Sequence, residues 1–214
     1  MRMLLTLLGA TAIAAAAPPQ DLPPRERPAH AYALIADRTD DGAELVGRRA
    51  PPWSFERWAR GPVRSLDDLR GKVVLVRWWT DGCMYCAATL PALETLRKRY
   101  RADGLVIVGA YHPKPPRRVE DRAVLAFADR LGFDGPIALD ERWQTLDRYW
   151  LRGRERDFTS VSFLIDRDGI IRWVHAGGEY HPSDDPKHAQ CDLEYRGLVA
   201  AIDRALASRE ARAP

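Results

Sequence analysis

Seven residues from Val73 to Trp79, VVLVRWW, form an apolar run broken only by Arg77. A run of this length, lying between Gly71 and a polar turn, reads as a strand buried on both faces. A strand covered on both sides belongs to a layered α/β architecture. Cys83 and Cys86 follow, two residues apart, and then Leu90, Leu93, Leu96 and Tyr100 with charges between them. That spacing predicts an amphipathic helix over residues 86–101, kinked near Pro91. The cysteine pair therefore stands at a strand-to-helix turn. There the N–H groups of the first helical turn and the helix dipole favour a thiolate at the first cysteine. The second lies about one turn further on, within reach of a small disulfide ring. The chemistry this arrangement fits is dithiol–disulfide exchange.

The remaining elements follow from the same signals. Residues 53–65 carry Trp53, Phe55, Trp58 and Val63 in irregular order and predict a small hairpin at an edge. Leu66 to Leu69 reads as a helical turn stopped by glycine. Leu105–Tyr111 and Pro136–Leu139 read as strands, Val119–Leu131 and Glu141–Trp150 as helices. Val161–Ile165 and Ile170–Val174 flank an Asp-Gly turn and predict a β-hairpin. Residues 175–190, HAGGEYHPSDDPKHAQ, are too rich in Gly, Pro and Asp for regular structure, and Asp192–Ala207 closes the chain as a helix. The order β-α-β-α-β-α-β-β-α implies a mixed sheet covered by helices.

Composition narrows the class. The formal net charge is only +3 over 214 residues, with basic and acidic residues interspersed. That distribution is not a nucleic-acid footprint. Residues 1–17, MRMLLTLLGATAIAAAA, read as a signal peptide: Arg2, an apolar run and a small-residue cleavage site. The run is short for a membrane span, so no stable span is expected after cleavage. The expected location is the periplasm, an oxidising compartment where a cysteine pair can be cycled. Residues 18–46 read as a Pro-rich linker and N-terminal extension, and 47–210 as the folded domain. The chain has three cysteines, so a Cys83–Cys86 pair leaves Cys191 over.

The segment LRGKVVLVRWWTDGCMYC, Pro91 five residues after Cys86, and the segment SFLIDRDGIIRWVHAGG carry a resemblance. Over roughly residues 47–207 the sequence resembles the thioredoxin-like (redoxin) family, in particular exported TlpA/ResA-type thiol-disulfide oxidoreductases. The resemblance implies an α/β thioredoxin-like fold. Its central mixed β-sheet is flanked by helices, with a βα insertion, a closing β-hairpin and a C-terminal helix. It implies Cys83 as the exposed nucleophile and Cys86 as the resolving thiol. Trp79 matches the aromatic residue flanking the family's motif. The implied partners are protein thiols and disulfides, with a membrane electron donor if the chain is a reductase. The redox-active disulfide then needs no further cofactor.

Three positions depart from the family pattern and mark an atypical subgroup. Ser160 occupies the position of the family's cis-proline, so the Thr159–Ser160 peptide is expected to be trans. Arg77 replaces the buried acid of thioredoxins and is expected to need a carboxylate partner. Under the cysteine pair it would favour a thiolate. Thr89 replaces the Glu that serves as proton shuttle.

Two other functions stay open. The loop from His175 to Cys191 and the strand end at His112 are expected near the cysteine pair. Cys191 is then a possible third redox thiol. Alternatively, the chain is a copper- or zinc-binding, copper-chaperone-like module, with Cys83, Cys86, His112, His181, His188 and Cys191 as candidate ligands. The bland counterparts are solvated loop histidines, a simply buried Cys191 and a static Cys83–Cys86 disulfide. A thiol peroxidase is the third reading, because Thr80 precedes Cys83 by three residues as in peroxiredoxins, although their proline falls on Val76.

Overall fold

The computed structural model describes residues 41–208 other than 63, 155 and 157. The expected signal segment and residues 18–40 lie outside the described residues. Strands β1 (Arg57–Arg60), β2 (Val73–Trp79), β3 (Leu105–Tyr111), β4 (Ile137–Leu139), β5 (Ser162–Ile165) and β6 (Ile171–His175) form one sheet. Its order is β1-β4-β3-β2-β5-β6. The centre, β4-β3-β2, is parallel, and β1, β5 and β6 join antiparallel. Helices α1 (Met84–Tyr100), α2 (Asp121–Arg130) and α3 (Ala189–Ala207) complete the fold.

Strand β2 is buried along its whole length, as its composition requires. Side chains alternate across a strand, and here each set enters a different core. Val73, Leu75 and Trp79 join Leu90, Leu93 and Leu96 of α1, Val124 of α2 and Leu198 of α3. Val74, Val76 and Trp78 face Trp53, Leu66 and Leu69 from the N-terminal segment, with Tyr149 and Trp150. Each such fully buried aliphatic side chain contributes roughly 1.5–3 kcal/mol. Gly109 in β3 is required by close approach: a Cβ there would stand 2.8 Å from Trp79 Nε1 and 3.1 Å from Phe133.

Two local expectations are corrected. Among the described residues, 53–65 hold one edge strand, β1, paired with β4, not a hairpin. Trp53 and Phe55 are drawn into the second core instead of a strand partner. Residues 141–150 are not one regular helix. A short turn at Gln144–Leu146 passes into a π-helical segment at Asp147–Leu151. Buried Asp140 sets where that turn begins. Its carboxylate accepts from Trp78 Nε1 (2.9 Å) and from the backbone N–H groups of Thr145 (3.1 Å) and Leu146 (2.7 Å).

Asp140→Ala would leave those three buried donors unsatisfied, each costing about 1–3 kcal/mol. A loss of about 3 kcal/mol in urea-unfolding stability is expected. A loss under about 1 kcal/mol would contradict this role.

Candidate active site

The turn between β2 and α1 sets the geometry. Gly82 takes the left-handed φ of 71° that reverses the chain, a conformation costly for other residues. Cys83 then caps α1, and the Cys86 backbone N–H points at its sulfur (3.3 Å). Cys83 and Cys86 form a disulfide with Cα atoms 5.4 Å apart. Cys86 is fully buried in the α1 core, whereas Cys83 is half-buried. Met84, between them, is exposed.

Ser160 closes the site from the other side. Its Oγ lies 3.6 Å from both the Cys83 and the Cys86 sulfur. Among the described residues the cis peptide is Lys114–Pro115, so the Thr159–Ser160 bond is trans as expected. A hydroxyl thus stands where the family places a proline ring, and it can donate to a thiolate.

Thr159 is held from below by His112. The carbonyl of Trp79 faces His112 Nδ1 (2.9 Å), so that nitrogen carries the hydrogen. Nε2 then accepts from Thr159 Oγ1 at 2.7 Å. Burial, aided by the nearby Lys114 charge, pushes the His112 pKa down to about 3. His112 is therefore neutral near pH 7 and acts as a fixed strut. Trp79, placed beside the motif from sequence, is fully buried and packs edge-on against Tyr111 (4.9 Å between centroids). Its position behind the pair is that of a core residue.

Arg77 is fully buried, but the expected carboxylate partner is not what holds it. It donates to the Gly178 carbonyl (2.8 Å) and Ser162 Oγ (3.3 Å), and lies 5.4 Å from the centroid of the Tyr180 ring. One carbonyl, one hydroxyl and a ring face stand where a counter-ion was expected. Burial pushes its pKa down. Thr89, at the position of the shuttle Glu, donates to the Tyr85 carbonyl and accepts from the Tyr180 N–H (3.4 Å). It joins α1 to the loop after β6. Thr80 Oγ1 donates to Asp81 (3.2 Å).

The six candidate metal ligands separate. Cys83 and Cys86 are joined to each other, and His112 is engaged by Trp79 and Thr159. His181, His188 and Cys191 gather instead around Glu179. His175 pairs with Glu194 (2.8 Å). Sequence reasoning passed over Asp81, whose carboxylate accepts from Tyr111 Oη (2.6 Å); that hydrogen bond lowers its pKa. It also passed over Tyr180, whose signal was the single aromatic in a polar loop.

Residues 46–174 match the AhpC/TSA family. The chain belongs to that family. As a redoxin of this family it is similar to the thioredoxin-like protein YneN of Bacillus subtilis, 30% identical over 61% of this chain and 71% of YneN. It is also similar to the thiol-disulfide oxidoreductase ResA of Geobacillus kaustophilus, 29% identical over 65% of this chain and 74% of ResA. The fold is thioredoxin-like. The crystal structure of a thiol-disulfide isomerase from Corynebacterium glutamicum superposes with TM-score 0.56 at 24% identity, covering 74% of this chain and 97% of that one. This AhpC/TSA redoxin is a TlpA/ResA-type thiol-disulfide oxidoreductase.

Proposed function

We propose that the chain exchanges a Cys83–Cys86 dithiol or disulfide with protein thiols, with Cys83 as nucleophile and Cys86 as resolver. The observation that carries this is the asymmetry of the pair: Cys83 half-exposed at a helix N-terminus, Cys86 fully buried behind it. In the reducing direction, the Cys83 thiolate attacks a substrate disulfide and one substrate thiolate leaves. The Cys86 thiolate then attacks Cys83 Sγ, and the second substrate thiolate leaves. The substrate gains two electrons and the pair becomes a disulfide. The helix N-terminus and Ser160 Oγ supply donors to the attacking thiolate. The folded domain is read as 47–210 and the first 17 residues as a signal for export to the periplasm. Among the described residues no helix is long and apolar enough to cross a membrane. A membrane electron donor supplies the reducing direction in this reading, and the disulfide itself is the redox group.

The test is stopped-flow oxidation of the reduced chain by a disulfide-bonded peptide and, separately, by hydrogen peroxide. Faster reaction with the peptide is expected. Faster reaction with peroxide would replace this reading with the peroxidase one.

Ser160→Ala removes one donor to the Cys83 thiolate. It is expected to slow alkylation of reduced Cys83 at neutral pH about threefold to tenfold, the scale of one hydrogen bond. An unchanged rate would show that Ser160 only fills space.

A further inference from the structure

We propose a second site in this chain, separate from the cysteine pair: a closed zinc(II)-class metal site made by Glu179, His181, His188 and Cys191. It does not depend on the disulfide-exchange reading. The donor atoms of these four residues lie within 4.8 Å of one another. Three of them form an almost regular triangle. Cys191 Sγ is 3.7 Å from Glu179 Oε1 and 3.7 Å from His188 Nδ1, and His188 Nδ1 is 3.7 Å from Glu179 Oε1. A tetrahedral zinc ion with Zn–N and Zn–O near 2.0 Å and Zn–S near 2.3 Å needs ligand separations of about 3.3 to 3.6 Å. The triangle is therefore one face of such a tetrahedron, opened by a few tenths of an ångström.

His181 supplies the fourth corner. Its ring centroid is 5.0 Å from that of His188. The carbonyl of Pro182 lies 3.1 Å from His181 Nδ1, which fixes the hydrogen on that nitrogen. Nε2 keeps its lone pair, and it is buried with no hydrogen-bond partner. A metal-bound histidine ordinarily donates its other ring N–H to a backbone carbonyl in this way.

The chain places these groups for local reasons. Glu179 and His181 flank Tyr180, which is turned into the core, where its hydroxyl meets Ser162 Oγ at 2.7 Å. His188 is the N-cap of α3 and Cys191 lies in its first turn, so an i, i+3 spacing brings both to one face. Charge also fits. Glu179 and Cys191 are buried, and a carboxylate with a thiolate carries two negative charges that a divalent ion neutralises. Two imidazoles, a thiolate and a carboxylate suit a borderline ion such as zinc(II). Binding displaces the Cys191 proton to solvent. With four protein ligands the site is closed and structural. It clamps the loop carrying Gly178 and Tyr180, which holds Arg77 and Thr89, to the start of α3.

The experiment titrates cobalt(II), then zinc(II), into the full chain with Cys83–Cys86 kept as the disulfide. One equivalent of cobalt with a thiolate charge-transfer band, displaced by one equivalent of zinc, is expected. His188→Gln and Cys191→Ser should each weaken binding at least about 100-fold. The Cys83→Ser/Cys86→Ser double variant should bind as the wild type does. If the ligand variants fold poorly, the wild-type melting temperature is read with zinc and with chelator, and a rise reversed by chelation is expected. No cobalt band with no zinc-dependent rise would overturn the site. So would binding lost in the Cys83→Ser/Cys86→Ser variant and kept in His188→Gln and Cys191→Ser.

Discussion

Cys83→Ser is expected to lower disulfide-exchange turnover by about three orders of magnitude or more. The attacking group in such exchange is a thiolate, and a serine hydroxyl at the same place cannot form the mixed disulfide. The structure makes the loss specific to this residue. Cys83 alone of the pair has solvent-facing surface, and it alone receives the first-turn N–H of α1. Cys86→Ser should behave differently. It leaves the attack intact and removes the resolving step, so a mixed disulfide accumulates in place of turnover. Equal residual turnover in Cys83→Ser and wild type would sink the assignment. The conserved fold of Cys83→Ser is checked by its unfolding midpoint, since the pair closes only a small loop and its disulfide gives modest stabilisation.

The second large effect is on stability against pH. The His112 pKa is pushed to about 3 from 6.5, chiefly by burial. Between those values the unfolded chain binds a proton that the folded chain refuses. Stability is therefore full above about pH 6.5 and falls as pH drops through the window. The slope from one such group is about 1.4 kcal/mol per pH unit. His175 contributes in the same sense, because burial pushes its pKa down despite Glu194. Asp140, whose pKa burial raises, works in the opposite sense, so the histidine share is read by comparing the slope with that of a His112 variant. His112→Gln is expected to reduce that slope in urea titrations, whatever it does to stability at neutral pH. An unchanged slope would mean that His112 is protonated inside the fold, and that its bond to Thr159 has a different polarity.

Much of this architecture was legible from residues alone, and the exceptions have physical causes. Val73–Trp79 and Leu105–Tyr111 were read with the bounds they have, because central parallel strands are apolar throughout and stop at polar turns. The amphipathic face of α1 was readable from Leu90, Leu93 and Leu96. The segment after β4 was not, since the helix start there is set by Asp140, which caps the Thr145 and Leu146 N–H groups while Trp78 holds its carboxylate from across the sheet. Arg77 was read as a charge in need of a carboxylate. No local pattern tells that a carbonyl at Gly178 and a ring at Tyr180, a hundred residues on, would hold it. The same limit applied at the loop after β6. His181, His188 and Cys191 were visible as ligand types, but their separation from the cysteine pair and their gathering on Glu179 are tertiary facts.

The most direct measurement is to map the mixed disulfide. The Cys86→Ser full chain is mixed with a disulfide-bonded peptide and digested without reduction, and the linked fragments are identified by mass. The peptide is predicted on Cys83. An adduct on Cys191, or no adduct from a chain whose wild type turns the peptide over, would contradict the account.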